Sequence, residues 1–353
     1  HFMLKEIHEQ PRAIEDTLKG KIKGSRVIFD SLDLPAKKFN KVFILGCGTA
    51  WHAGLVGRKF IEALAKIPVE VDLASEFRYR DPMVDEGTLT LVISQSGETA
   101  DTLGALREAR RRGSRIVAIT NVVGSTVSRE ADDVIYTRAG PEIAVASTKA
   151  YMTQLVSLYL FALFLGQQRG TVDEATSIKL IDALGCLPDQ VREALKTEEK
   201  IKGLAERLQD KQHVFFIGRG LDYPLAMEAA LKLKEVSYIH AQPYAAGEMK
   251  HGTLALVVEG LPIIALATQQ GLREKMLNNI KEVKARGADI TVIAPEGDDL
   301  DSVGEVIHIP RALDFVMPIL AAVPCQLLAY HTARLKGCDV DKPRNLAKSV
   351  TVE

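Results

Sequence analysis

The sequence predicts an α/β fold: two tandem, doubly wound parallel-sheet domains with a C-terminal tail. Three observations carry this. Short apolar runs alternate with helical patterns at βαβ spacing. The run at 88–93 is apolar almost without a break, as a strand covered on both faces must be. The pattern also repeats, because Val214-Phe215-Phe216-Ile217-Gly218-Arg219-Gly220 echoes Val42-Phe43-Ile44-Leu45-Gly46-Cys47-Gly48 at an offset of 172. Asp133-Val134-Ile135 meets Glu305-Val306-Ile307 at the same offset, and Ser94-Gln95-Ser96-Gly97 meets Thr268-Gln269-Gln270-Gly271 two residues further on. A register kept over so many turns marks a duplicated domain.

Taken in order, residues 3–33 read as a helical pattern containing Pro11, and 1–36 as a lead-in. The first domain, 37–170, has strands at 42–45, 69–73, 88–93, 116–120 and 134–136, helices after the glycine turn at 46–49 and to about 112, and a closing helix at 148–165. Residues 171–208, polar and rich in Lys and Glu, read as a helical linker. The second domain spans 209–342 and leaves 343–353 as the tail.

Of 353 residues, 46% are hydrophobic and 26% charged, the composition of a globular chain with room for sizeable cores. A net charge of −1 gives no electrostatic reason for a nucleic-acid or membrane-surface partner. The apolar stretch 150–165 includes Thr153, Gln154 and Ser157 and is shorter than the roughly 20 residues of a membrane span, so it reads as a buried helix. Cys47, Cys186, Cys325 and Cys338 lack C-x-x-C spacing, so neither a zinc site nor a disulfide framework is expected, and reduced thiols in the cytoplasm are. A chain that opens on His1-Phe2 reads as part of something longer.

In the first half, Ser94-Gln95-Ser96-Gly97-Glu98-Thr99 follows a buried strand and opens a helix. Three hydroxyls and an amide around one glycine, at the carboxyl end of a parallel strand, suit the oxygens of a phosphomonoester. Gly46-Cys47-Gly48 invites a dinucleotide reading, but Trp51 stands at the third glycine position and Tyr223 at its repeat, too bulky for the required helix packing. No Walker G-K-[ST] occurs, so a small phosphorylated ligand is favoured over a nucleotide.

In the second half, a helix beginning near Asp222, read as its N-cap, places Glu228, Lys232 and Glu235 at i, i+4 and i+7 on one face. Pro243, Ala245, Ala246 and Gly247 then lead to Glu248-Met249-Lys250-His251. A solvated ion row is the plainer reading of such a face, but a base, a cation and an imidazole in one short span are the means to move a proton next to a carbonyl.

These residues resemble the sugar isomerase (SIS) domain pair, of flavodoxin-like topology, that forms the C-terminal part of the glutamine:fructose-6-phosphate aminotransferase (glucosamine-6-phosphate synthase) family. The matching blocks run through the whole chain: Gly46-Cys47-Gly48-Thr49, the 94–99 loop, Val145-Ala146-Ser147-Thr148-Lys149, Lys232-Leu233-Lys234-Glu235, Gly247-Glu248-Met249-Lys250-His251-Gly252 and the terminal Pro343-Arg344-Asn345-Leu346-Ala347-Lys348-Ser349-Val350-Thr351-Val352-Glu353. The resemblance implies that Ser94, Gln95, Ser96 and Thr99 hold the phosphate of fructose 6-phosphate, and that Thr49, Val145, Ser147 and Ala347 contact the sugar. It implies Glu235 as the base between C1 and C2, Lys232 as its helper, and Lys348 as the amine that forms an imine with the open-chain ketose. His251 would open the ring from a neighbouring subunit, so a homodimer is implied.

No metal and no organic cofactor is called for. The product with ammonia would be glucosamine 6-phosphate, the ammonia coming from an N-terminal glutaminase domain that this sequence does not contain. Without that domain the chain should not hydrolyse glutamine. Ala50 stands where the family usually has Ser and Thr253 where it usually has Pro, which puts one sugar contact and the stiffness of one loop in question. His52 and His240 read as structural. The rival from another class is a non-catalytic sugar-phosphate sensor, which needs the 94–99 loop but not Glu235, His251 and Lys348 together. A deglycase acting on phosphorylated fructosamines is a third reading, against which the full terminal block speaks.

Overall fold

The two strongest apolar runs, Lys41–Gly46 and Thr88–Ser94, become the central strands of the first of two five-stranded sheets. The structure, a computed structural model, describes residues 1–300 and 302–352, so Glu353 of the terminal block lies outside the described residues. In sheet order the first sheet runs Val69–Leu73, Lys41–Gly46, Thr88–Ser94, Arg115–Thr120, Asp133–Tyr136, parallel throughout. The second runs His240–Ala245, His213–Gly218, Pro262–Leu266, Asp289–Pro295, Glu305–Ile309, also parallel. Both follow the flavodoxin-like order 2-1-3-4-5, in which ligands sit beyond the carboxyl ends of the central strands. All seven residues of Thr88–Ser94 are buried, which explains its lack of alternation.

The chain forms two compact units, and each is assembled from three stretches. One holds the first sheet: Arg12–Glu142, Lys149–Gly185 and Ala347–Glu353; the other holds the second: His1–Pro11, Ile143–Thr148 and Cys186–Leu346. In the first-sheet unit, Phe43, Phe77, Val92, Leu106 and Ile116 form the core on one face. On the other, the Thr49–Ala65 helix packs on Lys149–Arg169. Gly57 makes that approach possible, since a Cβ there would fall 2.7 Å from Leu158 Cδ2. In the second-sheet unit, Phe215, Ile217, Ile263, Met276 and Val292 form one core face, and the Asp222–Ser237 helix packs on Met317–Leu335.

Lys149–Arg169, at 21 residues, is the helix among the described residues that is long and apolar enough to cross a membrane, but 94% of its apolar window is buried. Thr153, Gln154 and Ser157 lie inside with it. The lead-in is less helical than its pattern. Helices Phe2–His8 and Gln10–Leu18 are separate, because Pro11 fits the first turn of the second and cannot continue the first, and an antiparallel hairpin pairs Ile22 with Val27. The stretch read as a linker is two helices, Glu174–Leu195 and Glu198–Leu208, whose Leu184, Leu187, Val191, Ile201, Leu204 and Leu208 are core residues. Most of its Lys and Glu residues face solvent, but Glu198 turns inward to His331 Nε2 at 3.0 Å.

Candidate functional site

The 94–99 loop is built from its own hydroxyls. The Gly97 amide donates to Ser94 Oγ at 3.0 Å, the Glu98 amide to Ser96 Oγ at 3.2 Å, and Ser94 Oγ lies 3.2 Å from Thr99 Oγ1. Ser94, Ser96 and Thr99 are thus gathered around one turn, while the Gln95 carbonyl ties the loop to the next strand by accepting from the Asn121 amide at 3.1 Å. Gly97 has φ +68°, and a Cβ there would sit 2.1 Å from Ser125 Oγ, so this turn requires glycine. Glu98 accepts from the Thr126 amide at 2.8 Å, and the Thr126 hydroxyl and amide hold its carboxyl below the usual range. Thr99 begins the Ala100–Arg111 helix without capping it through its side chain, which leaves its hydroxyl to the loop. Thr49 is the first residue of the Thr49–Ala65 helix, entered through Gly48 at φ +51°.

The same unit contains the tail from Ala347 onward. Lys348 Nζ donates to Glu142 Oε2 at 2.5 Å, the Val350 carbonyl accepts from the Ala100 amide at 3.0 Å, and Ala347 is exposed. Glu142 was not singled out from the sequence, although the repeat offered a signal: Asp314, its counterpart at offset 172, is also acidic.

The second-sheet unit carries the remaining candidates. Along the Asp222–Ser237 helix, Lys232 Nζ lies 3.5 Å from Glu228 Oε1 and 2.5 Å from Glu235 Oε2. This is not a solvated row. Lys232 is 1% and Glu228 2% exposed, whereas Glu235 keeps 22%. A buried cation between two carboxylates, with one carboxylate reaching the surface, suits a proton shuttle whose charge is held ready.

His251 ends the 3-10 turn Ala246–His251 and is exposed, and Thr253 opens a second short 3-10 turn, Thr253–Leu256. Val145 and Ser147 lie in the short Ile143–Thr148 stretch, where the Val145 amide donates to the Asp341 carbonyl at 3.0 Å. His240 is exposed beside Gln242, and His52 is buried in its helix.

One reading is corrected. Asp222 does not cap its own helix; it is the first helical residue, with Leu221 at the cap. Its carboxylate instead accepts from the Thr268 amide at 2.8 Å and the Thr268 hydroxyl at 2.5 Å, and burial pushes its carboxyl up to about 6.

Among the described residues, no group of three or more His, Cys, Asp or Glu is arranged to hold a metal ion. All four cysteines are outside disulfides.

Comparison with known proteins agrees with this layout. Residues 37–164 and 207–335 each match the SIS domain. The chain is 60% identical, over 359 aligned positions, to the glutamine–fructose-6-phosphate aminotransferase (isomerizing) of Caldanaerobacter subterraneus subsp. tengcongensis, a match that covers 100% of this chain and 59% of that protein. Among solved structures, the C-terminal domain of glucosamine-fructose-6-phosphate aminotransferase from Francisella tularensis superposes with a TM-score of 0.93 at 41% identity, covering 97% of this chain and 98% of that one. Glucosamine-6-phosphate deaminase from Thermotoga maritima superposes with a TM-score of 0.79 at 26% identity over 99% of both chains. This chain therefore belongs to the SIS-domain family, as a tandem pair like the C-terminal domain of glucosamine-fructose-6-phosphate aminotransferase.

Proposed function

We propose that the chain is the isomerase part of a glutamine–fructose-6-phosphate aminotransferase and acts on fructose 6-phosphate. It spans 59% of the relative's length, so the glutaminase part that would deliver ammonia belongs to this reading and not to the residues in hand. The observation that carries the proposal is the Glu228–Lys232–Glu235 row, because a buried lysine at 2.5 Å from a partly exposed carboxylate has a use in proton transfer and none in merely holding a phosphate.

In this mechanism the hydroxyls of Ser94, Ser96 and Thr99 and the amide of Gln95 anchor the phosphate, and Thr49, Val145, Ser147 and Ala347 border the sugar. His251, supplied across a homodimer, moves the proton that opens the furanose ring. Lys348 Nζ adds to the C2 carbonyl, and water leaves to give an imine. On the ketone, Glu235 takes a proton from C1 as the electron pair moves to O2, which is protonated. It returns the proton at C2 as the C1 hydroxyl loses its own, which leaves the aldehyde of the aldose. On the imine, ammonia first displaces the Lys348 amine at C2, and the same proton transfer then follows. Lys232, 2.5 Å from Glu235 Oε2, holds that carboxylate in place for these transfers. With ammonia in place of the lysine nitrogen at C2, the product is glucosamine 6-phosphate. Nothing in this route calls on a metal or an organic cofactor, and a cytoplasmic setting goes with it.

The test is conversion of fructose 6-phosphate to glucose 6-phosphate by the purified chain. Slow turnover that Glu235→Gln abolishes, and that Lys348→Ala lowers by about 10²-fold or more, supports the reading. A folded dimer that binds fructose 6-phosphate but never turns it over supports a sensor instead.

A further inference from the structure

The tail lysine is not loose. Its Nζ meets Glu142 Oε2 at 2.5 Å, and the Glu142 side chain is 0% exposed while that of Lys348 keeps 25%. The carboxylate is itself anchored, since its Oε1 accepts from the Ala150 amide at 3.0 Å in the first turn of the Lys149–Arg169 helix. One oxygen thus belongs to the scaffold and the other faces the tail. Two residues on, the Val350 carbonyl takes the Ala100 amide at 3.0 Å, so the terminal stretch is fastened at a side chain and at the backbone. An exposed lysine ion pair contributes little, but one formed on a carboxylate withdrawn from water and held in place gains from the missing screening.

We infer that Glu142 is the positioning residue of the tail: its fixed carboxylate docks Lys348 and so sets where the amine is presented. This rests on the reading of Lys348 as the imine-forming amine. A lysine on a mobile terminus must be ordered before it can add to a carbonyl, and a pre-docked one has met that entropic cost already. Glu142 would touch the tail and never the sugar, which separates it from Glu235.

The experiment uses the whole chain and three variants: Glu142→Gln, Lys348→Gln and the double variant. Glutamine keeps a carbonyl for the Ala150 amide and loses only the charge. Two quantities are read: hydrogen exchange of the amides at 344–352, and the rate at which borohydride traps a covalent fructose 6-phosphate adduct on Lys348. Either single variant should speed tail exchange by about tenfold, and the double variant should add little to that, because both break one interaction. Glu142→Gln should also slow adduct trapping by about tenfold, while the affinity for inorganic phosphate changes less than twofold.

Tail exchange unchanged in Glu142→Gln, or additive effects in the double variant, would overturn the docking. Should Glu142→Gln fail to fold, Lys348→Gln lies in the tail and decides by the same readout: unchanged exchange there equally overturns it. Absence of any adduct in the unaltered chain would sink the imine reading instead, and the exchange data would still decide whether Glu142 docks the tail.

Discussion

The two sheets share topology, turns and glycines, and differ in which helix face and which loop carry polar chemistry. On the helix after the first strand, the second half places Glu228, Lys232 and Glu235 where the first has Val56, Phe60 and Ala63. Val56 and Phe60 are fully buried, and Phe60 packs edge-on against Tyr159 at 4.7 Å. An apolar seam and a buried ion row therefore occupy the same position in two copies of one fold.

The loops are reversed. The first half keeps Ser94, Ser96 and Thr99 around its turn, whereas the second has Thr268, Gln270 and Arg273 and closes the cradle with its own carboxylate. Asp222 accepts from the Thr268 amide and hydroxyl, and its counterpart in the first half is Ala50, which offers no such group. On the proposed reading the duplication divides anion binding from proton handling, and the second half's loop is filled from within by the Asp222 carboxylate.

The largest test of this contrast is Lys232→Met, which leaves the buried Glu228 and the partly exposed Glu235 without the cation between them. We expect a loss of about 3–5 kcal/mol in urea unfolding. Restoring the first half's seam with Glu228→Val, Lys232→Phe and Glu235→Ala together should recover most of that stability while ending turnover. If the triple variant is no more stable than the single one, the two helix faces are not equivalent.

Next comes Asp222. Burial raises its carboxyl from 3.8 to about 6, so between these values the folded chain holds a proton that the unfolded chain has released. Its contribution to stability is therefore full below about pH 4 and lost as pH rises to about 6, about 3 kcal/mol in all. Asp222→Asn should flatten that window in denaturation curves taken across it. A slope unchanged by the substitution would mean that the cradle does not titrate through Asp222.

The smallest effect separates two equivalent glycines. Gly97→Ala forces a Cβ toward Ser125 at positive φ and should cost about 2 kcal/mol or more and weaken phosphate binding. Gly271→Ala, with nothing within 4 Å of the new atom, should change stability by less than about 0.5 kcal/mol. Equal costs at both would break the argument that only the first loop is shaped around its turn.

What the sequence made legible follows from these forces. The central strands are readable because burial on both faces leaves uninterrupted apolar runs, and the duplication because two copies keep the same glycines. The edge strand His240–Ala245 is not, since its Pro243 and Gln242 look like turn residues; only an edge position tolerates a proline, whose missing donor faces no neighbour. The burial of Lys232 hides behind an ordinary i,i+4 spacing. The pairing of Glu142 with Lys348 is hard to read because the partners are 206 residues apart, and the acidic counterpart Asp314 in the repeat is the one hint that position 142 matters.

The interleaving of the two units bears on how the chain is made. Residues 347–352, with Lys348, complete a unit whose sheet was finished at Tyr136. That unit stays without this stretch until residues 347–352 have left the ribosome, so Lys348 meets Glu142 only after the whole second sheet has been translated.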